Sequence, residues 1–292
     1  MNTIISITGD LGSGKSTVSD ILCKELKYDY IYTGAIQRKI AEKYGMTTTE
    51  LNKYAETHPE IDEEIDFTFR SLNDASNLIV DSRLAWFFIP NSFKLFLKTN
   101  LMVAADRICK DKQRKNESYL SVDEAAKQMT ERKTSENKRY MELYGADCSN
   151  LKLFDLLVDT SFIAPAKVAD IILKSYKEQQ TATKRSAKAF LAPQNLYPTK
   201  SVKTPWAWDM PNQPVQVVHL GSFDYIIDGH VRVSKALKDG TELVPVIFID
   251  ANALWNKEST YQEHIAQLAQ PALLQEWEEF HNFKYLRQLT VI

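Results

Sequence analysis

The chain is short of several things that would settle its class early. It has three cysteines among 292 residues, Cys23, Cys109 and Cys148, with no C-x-x-C spacing and no histidine close to any of them in sequence. That disfavours a zinc site and a disulfide framework, and the expectation is reduced, buried thiols. It has no charged-then-apolar leader and no apolar run near eighteen residues, which reads as a cytoplasmic protein with no membrane partner. It lacks a strong net charge, −2 with a quarter of its residues charged, so no global basic field points to nucleic acid or an acidic membrane. It also lacks an internal repeat. What remains is a chain long for one domain and comfortable for two.

The most informative stretch is Gly9-Asp10-Leu11-Gly12-Ser13-Gly14-Lys15-Ser16, preceded by Ile4-Ile5-Ser6-Ile7 and followed by Val18, Ile21, Leu22 and Leu26 at helical spacing. It has the form G-x-x-x-x-G-K-[ST] between a strand and a helix. In that setting backbone N–H groups curl around a phosphate chain, and the helix N-terminus adds its dipole. Lys15 would neutralise the β and γ phosphates, and Ser16 would hold Mg²⁺. The loop therefore predicts binding of ATP or GTP.

Further apolar runs at Tyr28 to Tyr32, Leu78 to Val80, Phe93 to Leu97 and Phe154 to Val158 alternate with helical patterns. This predicts an α/β fold with a parallel sheet flanked by helices. Helices are expected at 35–44, 50–56, 59–72, 121–144 and 165–178. Ser121 with Glu124 makes a capping box, and Gly145 makes a stop. After Glu178 the composition turns to Gln, Thr, Ala, Lys and Ser, and five of the ten prolines fall between Pro193 and Pro214. The reading is a domain at 1–178, a linker at 179–213 and a second domain at 214–292. That last part has short strands at 215–220, 225–227 and 244–249, a helix at 229–237, and helices near 259–269 and 272–283.

Thr33, Arg38 and Arg83 follow the second and third strands, at the same sheet edge as Lys15, which suits a second phosphate-bearing substrate. Arg132 and Arg139 are two turns apart on one helix and could close over a transferring phosphoryl group. Asp81 ends its strand beside the loop and could orient Mg²⁺ through water.

Taken together, Gly9 to Thr17, Tyr32-Thr-Gly-x-x-x-Arg38, the run from Gly45 to Asp62, Ser82-Arg-Leu-Ala85, Arg132-x-x-Ser-Glu-x-x-Arg139-Tyr140, Tyr144-Gly145 and Asp155 to Thr160 resemble the cytidylate kinase-like family over about 175 residues, especially its shorter archaeal-type branch. The resemblance implies a P-loop nucleoside monophosphate kinase. Gly9, Asp10, Gly12, Ser13, Gly14, Lys15, Ser16, Thr17 and Arg107 would bind ATP, with Arg107 stacked on adenine. Thr33, Arg38 and Arg83 would bind a nucleoside monophosphate, CMP or dCMP or a modified relative. Lys15, Arg132 and Arg139 would be catalytic, and Ser16 and Asp81 would serve Mg²⁺. Departures at Gln37, Ser82 and Trp86 to Phe88 would crowd the acceptor pocket and leave the base unsettled.

In the C-terminal part, Ile226-Ile-Asp228-Gly229-His230-Val-Arg232, followed by Val244-Pro-Val246, resembles the ParB N-terminal and sulfiredoxin-like fold, a smaller α+β unit. The resemblance implies a second nucleotide site at Asp228, Gly229, His230 and Arg232. Asp and Glu outnumber Lys and Arg from residue 214 on, which argues against stand-alone DNA binding. Trp206, Trp208, Trp255 and Trp277 are expected in this unit's core or at its contact with the kinase. Two further readings stay open. One is a nucleotide-sensing regulatory protein whose C-terminal part binds a partner or DNA. The other is a small-metabolite kinase centred on the C-terminal part, with Glu242 or Asp224 as an unplaced base.

Overall fold

The structure is a computed structural model, and it describes residues 3–55, 57–111, 119–183, 186–204, 213–268 and 271–286. Trp206 and Trp208 lie outside the described residues.

The first half alternates strand and helix as the apolar periodicity dictates. Strand β1 (Ile4–Gly9) leads through the phosphate loop into α1 (Lys15–Leu26), and β2 (Asp29–Tyr32) into α2 (Thr33–Lys43), α3 (Thr48–Ala55) and α4 (Pro59–Ser71). There follow β3 (Leu78–Asp81), the short α5 (Ala85–Phe88), β4 (Phe93–Lys98), α6 (Leu101–Lys110), α7 (Val122–Tyr144), β5 (Leu156–Asp159) and α8 (Pro165–Thr181). All six residues of β1 are buried, as a strand covered on both faces must be. At the start of α7 the Ser121 hydroxyl accepts from the Glu124 amide, and the Glu124 carboxylate accepts from the Leu120 amide. Gly145, in the left-handed conformation, ends the helix.

The second half comprises β6 (Lys188–Leu191), β7 (Leu196–Tyr197), β8 (Val215–Leu220), β9 (Phe223–Asp228), α9 (His230–Asp239), β10 (Val244–Ile249), α10 (Tyr261–Leu268) and α11 (Pro271–His281). The described strands form one sheet in the order β2-β3-β1-β4-β5-β6-β10-β8-β9-β7. From β2 to β6 every pairing is parallel. Beyond that, β10 is antiparallel to β6 and parallel to β8, β8 is antiparallel to β9, and β9 is parallel to β7.

Residues 188–197 lie inside the stretch expected as a linker, yet they make two strands of this sheet, and Leu191, Ala192, Leu196 and Tyr197 are buried. The prolines there misled the reading: Pro193 opens a 3-10 turn, a position that requires no backbone N–H, so the apolar residues on either side remain free to pair. One continuous core runs from Ile4 on β1 to Trp277 on α11.

Trp277 is fully buried and donates from its indole to the Lys200 carbonyl at 2.8 Å, whereas Trp255 is exposed, against expectation. Cys109 is exposed too, while Cys23 and Cys148 are partly buried. No helix among the described residues is long and apolar enough to cross a membrane.

Candidate functional site

The parallel strands β3, β1 and β4 end together, and the site is built where they end. Gly14 caps α1 with φ 79°, a left-handed conformation that costs an ordinary residue about 1–2 kcal/mol. A Cβ added there would meet nothing within 4 Å among the described residues, so the space beside this glycine is open. Lys15 begins the helix, and its ammonium turns back over the loop to the carbonyls of Gly9, at 3.2 Å, and Asp10, at 3.0 Å. Ser16 and Thr17 stand exposed in the first helical turn. Ser13 is buried and its hydroxyl has no partner among the described residues. Gly9 sits so close to β4 that a Cβ would fall 2.2 Å from the Leu97 carbonyl oxygen.

Asp10 is the loop's brace. Its carboxylate accepts from the Thr99 amide at 3.0 Å and from Lys133 of α7 at 2.7 Å. Burial pushes its pKa up, but Lys133 and Lys98 outweigh burial and hold it below the usual carboxylate value. Arg107 of α6 is half-buried and donates to the carbonyls of Gly12 at 3.3 Å, Thr160 at 2.7 Å and Ser161 at 3.1 Å. It therefore ties the loop to the segment after β5.

Asp81 ends β3 and accepts from the Tyr30 hydroxyl at 2.9 Å. Burial raises its pKa, with Lys15, Tyr30 and Arg83 opposing. Thr33 is the first residue of α2, and Arg38, one turn further on, donates to the Tyr32 hydroxyl and lies over its ring. Arg83 and Arg132 meet on one carboxylate: Glu136 takes Arg83 Nε at 2.7 Å and Arg132 Nε at 2.9 Å. Arg139, further along α7, is exposed and faces Asp62 of α4 at 3.7 Å. The structure thus brings Arg83 and Arg132 together and sets Arg139 apart.

Residues 4–162 match the Cytidylate kinase-like family, more than half of the chain. This chain belongs to the cytidylate kinase-like family. It is 38% identical over 179 residues to a cytidylate kinase of Thermoplasma volcanium, which spans 60% of this chain and 91% of that protein. A cytidylate kinase of Pyrococcus abyssi is 35% identical over 170 residues, 58% of this chain and 91% of that one. An S-adenosylmethionine-dependent nucleotide dehydratase of Lacinutrix mariniflava is 34% identical over 186 residues, 63% of this chain and 38% of that protein. Membership in the family supports a nucleoside monophosphate kinase, with ATP implied as phosphate donor.

Several residues of this cytidylate kinase-like site carry no motif in the sequence. Thr8 donates to the carbonyls of Ser82 and Arg83, and the Trp86 indole also donates to Arg83's carbonyl, at 2.9 Å. Trp86 is only 5% exposed and packs edge-on to Phe154. It holds the backbone that aims Arg83, which corrects the expectation that it crowds the acceptor pocket. Glu136 was visible as a letter of the family motif, but its role between two guanidiniums depends on packing.

The C-terminal turn looks similar in sequence and differs in content. Gly229 caps α9 with φ 92°, but here a Cβ would fall 2.8 Å from the guanidinium of Arg232. Arg232 folds over the helix start, pairing with Asp228 at 2.6 Å and donating to the Pro214 carbonyl at 2.8 Å. His230 is 2% exposed, takes the Thr199 amide on Nε2 at 3.1 Å and stacks edge-on to Trp277. Burial, with Lys200 adding to it, pushes its pKa down to about 3, so the ring is neutral. Asp228, Gly229, His230 and Arg232 are thus brought together, but the protein's own side chains fill the place expected for phosphate.

Proposed function

We propose that the chain transfers the γ-phosphoryl group of ATP to a nucleoside monophosphate, CMP or dCMP or a modified relative. The observation that carries this reading is the open, left-handed helix start at Gly14, which shares a sheet edge with the Arg83–Glu136–Arg132 cluster. Backbone amides of the loop and Lys15 would take the donor's phosphates, and the Ser13 hydroxyl, without a partner among the described residues, fits the same ligand. The acceptor's phosphate would replace the Glu136 carboxylate between Arg83 and Arg132. One anion then exchanges for another, so the two guanidiniums are already spaced for an oxyanion.

The acceptor is an anion that needs no deprotonation, so the chain's work is positioning and charge neutralisation. Lys15 and Arg132 would neutralise the transferring group, with Arg139 joining if α7 closes. Thr33 and Arg38 would line the acceptor side, and Arg107 would sit by the adenine end of ATP.

The donor set suits a hard cation. Ser16 offers a hydroxyl and Asp81 one carboxylate with an oxygen beyond its bond to Tyr30, and Mg²⁺ takes few protein oxygens beside phosphates. These two residues would hold Mg²⁺, which supplies charge neutralisation on the triphosphate when bound.

Residues 214–292 are proposed as an accessory unit of ParB/sulfiredoxin type, supported by the strand–Gly229–helix turn and the strand β10 that follows it. Its Asp228–Arg232 pair acts in this reading as a brace of the turn. A nucleotide there would have to displace Arg232.

The test is incubation with ATP, Mg²⁺ and a panel of ribo-, deoxyribo- and modified nucleoside monophosphates. ADP and a nucleoside diphosphate should form in equal amounts for one class of acceptor. Absence of turnover across the panel defeats the reading.

A further inference from the structure

Residues after 162 lie beyond the family match, yet one of their hairpins reaches the kinase site. The β8–β9 hairpin is tied to the end of β4 and, with it and the middle of α7, lines a cavity of about 320 Å³. That is within the range of small-ligand pockets. Arg83 and Arg132 line it, so it opens onto the place proposed for the acceptor's phosphate. Phe96, Leu101 and Met129 give it an apolar wall, and His219 faces it from the hairpin.

His219 is fixed by a chain of bonds that crosses from one half of the molecule to the other. Lys98, the last residue of β4, pairs with Asp224 Oδ2 on β9 at 3.1 Å, and Asp224 Oδ1 meets His219 Nδ1 at 2.8 Å. Asp224 is 2% exposed. Burial raises its pKa, but the charge of Lys98 and the hydrogen bond with His219 prevail and hold it at about 2. An ionised carboxylate only accepts, so Nδ1 must carry the hydrogen, and in the neutral ring Nε2 is left as an acceptor. The side chain is partly exposed, 28%, and is among those that line the cavity. A fixed acceptor, cations and an apolar wall in one cavity suit an anionic, ring-bearing molecule that offers a hydrogen-bond donor.

We propose that His219, positioned by Asp224 and Lys98, is a specificity-determining residue of the acceptor pocket, taking a hydrogen bond from a donor on the acceptor's nucleoside, either the exocyclic amine of the base or a sugar hydroxyl. This rests on the reading of the chain as a nucleoside monophosphate kinase. It makes the C-terminal half part of the active site.

The test compares wild type with His219→Phe, His219→Gln and Asp224→Asn, measuring kcat and KM for ATP, CMP, dCMP and UMP. His219→Phe keeps a ring of similar size and removes the acceptor. It should raise KM for CMP about tenfold, the worth of one neutral hydrogen bond, with KM for ATP and kcat within about twofold. His219→Gln should recover part of the loss, because its amide oxygen accepts. Asp224→Asn should raise acceptor KM in the same way, since the tautomer is no longer imposed. Loss of the CMP-over-UMP preference in His219→Phe assigns the donor to the base amine. Loss of the CMP-over-dCMP preference assigns it to the sugar hydroxyl.

Acceptor KM values within twofold of wild type in a folded His219→Phe protein overturn the proposal. If wild type turns over no acceptor, the kinase reading has failed separately, and calorimetric titration with CMP decides this one. Weaker CMP binding by His219→Phe than by wild type supports it. Equal binding, or none to wild type, overturns it.

Discussion

Two turns in this molecule obey the same local rule and differ in what they leave free. At Gly14 and at Gly229 a strand gives way to a helix through a glycine in the left-handed conformation, with a basic side chain in the first turn of the helix. At Gly14 the space beside the glycine is open, and Lys15 lies back along its own loop. At Gly229 the space is filled by Arg232, clamped between Asp228 and the Pro214 carbonyl, while His230 is buried under Trp277. A helix start is an anion site only where its free amides are left uncovered. Lys15 turns back to the carbonyls of Gly9 and Asp10, whereas Arg232, three residues after Gly229, reaches back over its helix start to Asp228.

The sharpest way to break this comparison is to remove one cation from each turn. Lys15→Ala should lower phosphoryl transfer by about 10³-fold, at the upper end for loss of a single charge-stabilising donor. Arg232→Ala should leave transfer within about twofold. An equal loss in both would mean that the two turns serve one reaction.

A second pair separates strain from ligand. Gly14→Ala and Gly229→Ala both force an alanine into the left-handed region at a cost of about 1–2 kcal/mol, read from denaturant midpoints, and Gly229→Ala should cost more because its Cβ must also displace Arg232. Only Gly14→Ala should also weaken ATP, which calorimetry would show.

Asp159 tests how firmly the half that carries the second turn is fixed to the half that carries the first. It is fully buried at the end of β5 and accepts from the Ser161 amide at 2.9 Å, the Ala192 amide at 3.2 Å and Asn195 Nδ2 at 2.7 Å. Asp159→Ala strands those donors and should lose about 2–3 kcal/mol of stability in the same denaturant measurement.

The second half also carries a pH dependence. His230 holds fewer protons folded than unfolded, because burial drops its pKa from 6.5 to about 3. Its contribution is complete above 6.5 and is lost as pH falls toward 3. Asp224, lowered from 3.8 to about 2, loses its contribution only over that more acidic window. His230→Gln should flatten the stability profile between pH 6.5 and 4, followed by thermal melts, and leave the acidic limb in place.

Much of the first half was legible because its signals are local. The four apolar runs after β1 became β2 to β5, with ends moved by a residue or two, and the Ser121–Glu124 cap and Gly145 stop bound α7 as read. The short α5 and the amphipathic α6 had not been read as helices, although Asn100 caps α6 through its side chain. The second half was less legible because its decisive contacts span long separations. Lys98 finds Asp224 on a strand far along the chain, Asn195 bonds Asp159, and the stretch expected as a linker pairs with β5 and β9. At the site, spacing placed Arg38 and Arg83 after the second and third strands and Arg132 and Arg139 on one helix, as they stand in the fold. It could not say that Arg83 and Arg132 share Glu136 while Arg139 turns to Asp62.

The most direct test of the account follows the label from γ-³²P-ATP in the presence of CMP, Mg²⁺ and either wild type or Lys15→Ala. The account predicts label in CDP with wild type and loss of that product with Lys15→Ala, while Arg232→Ala behaves as wild type. Label left in ATP or released only as phosphate by wild type, for CMP and for every other nucleoside monophosphate tried, would contradict it.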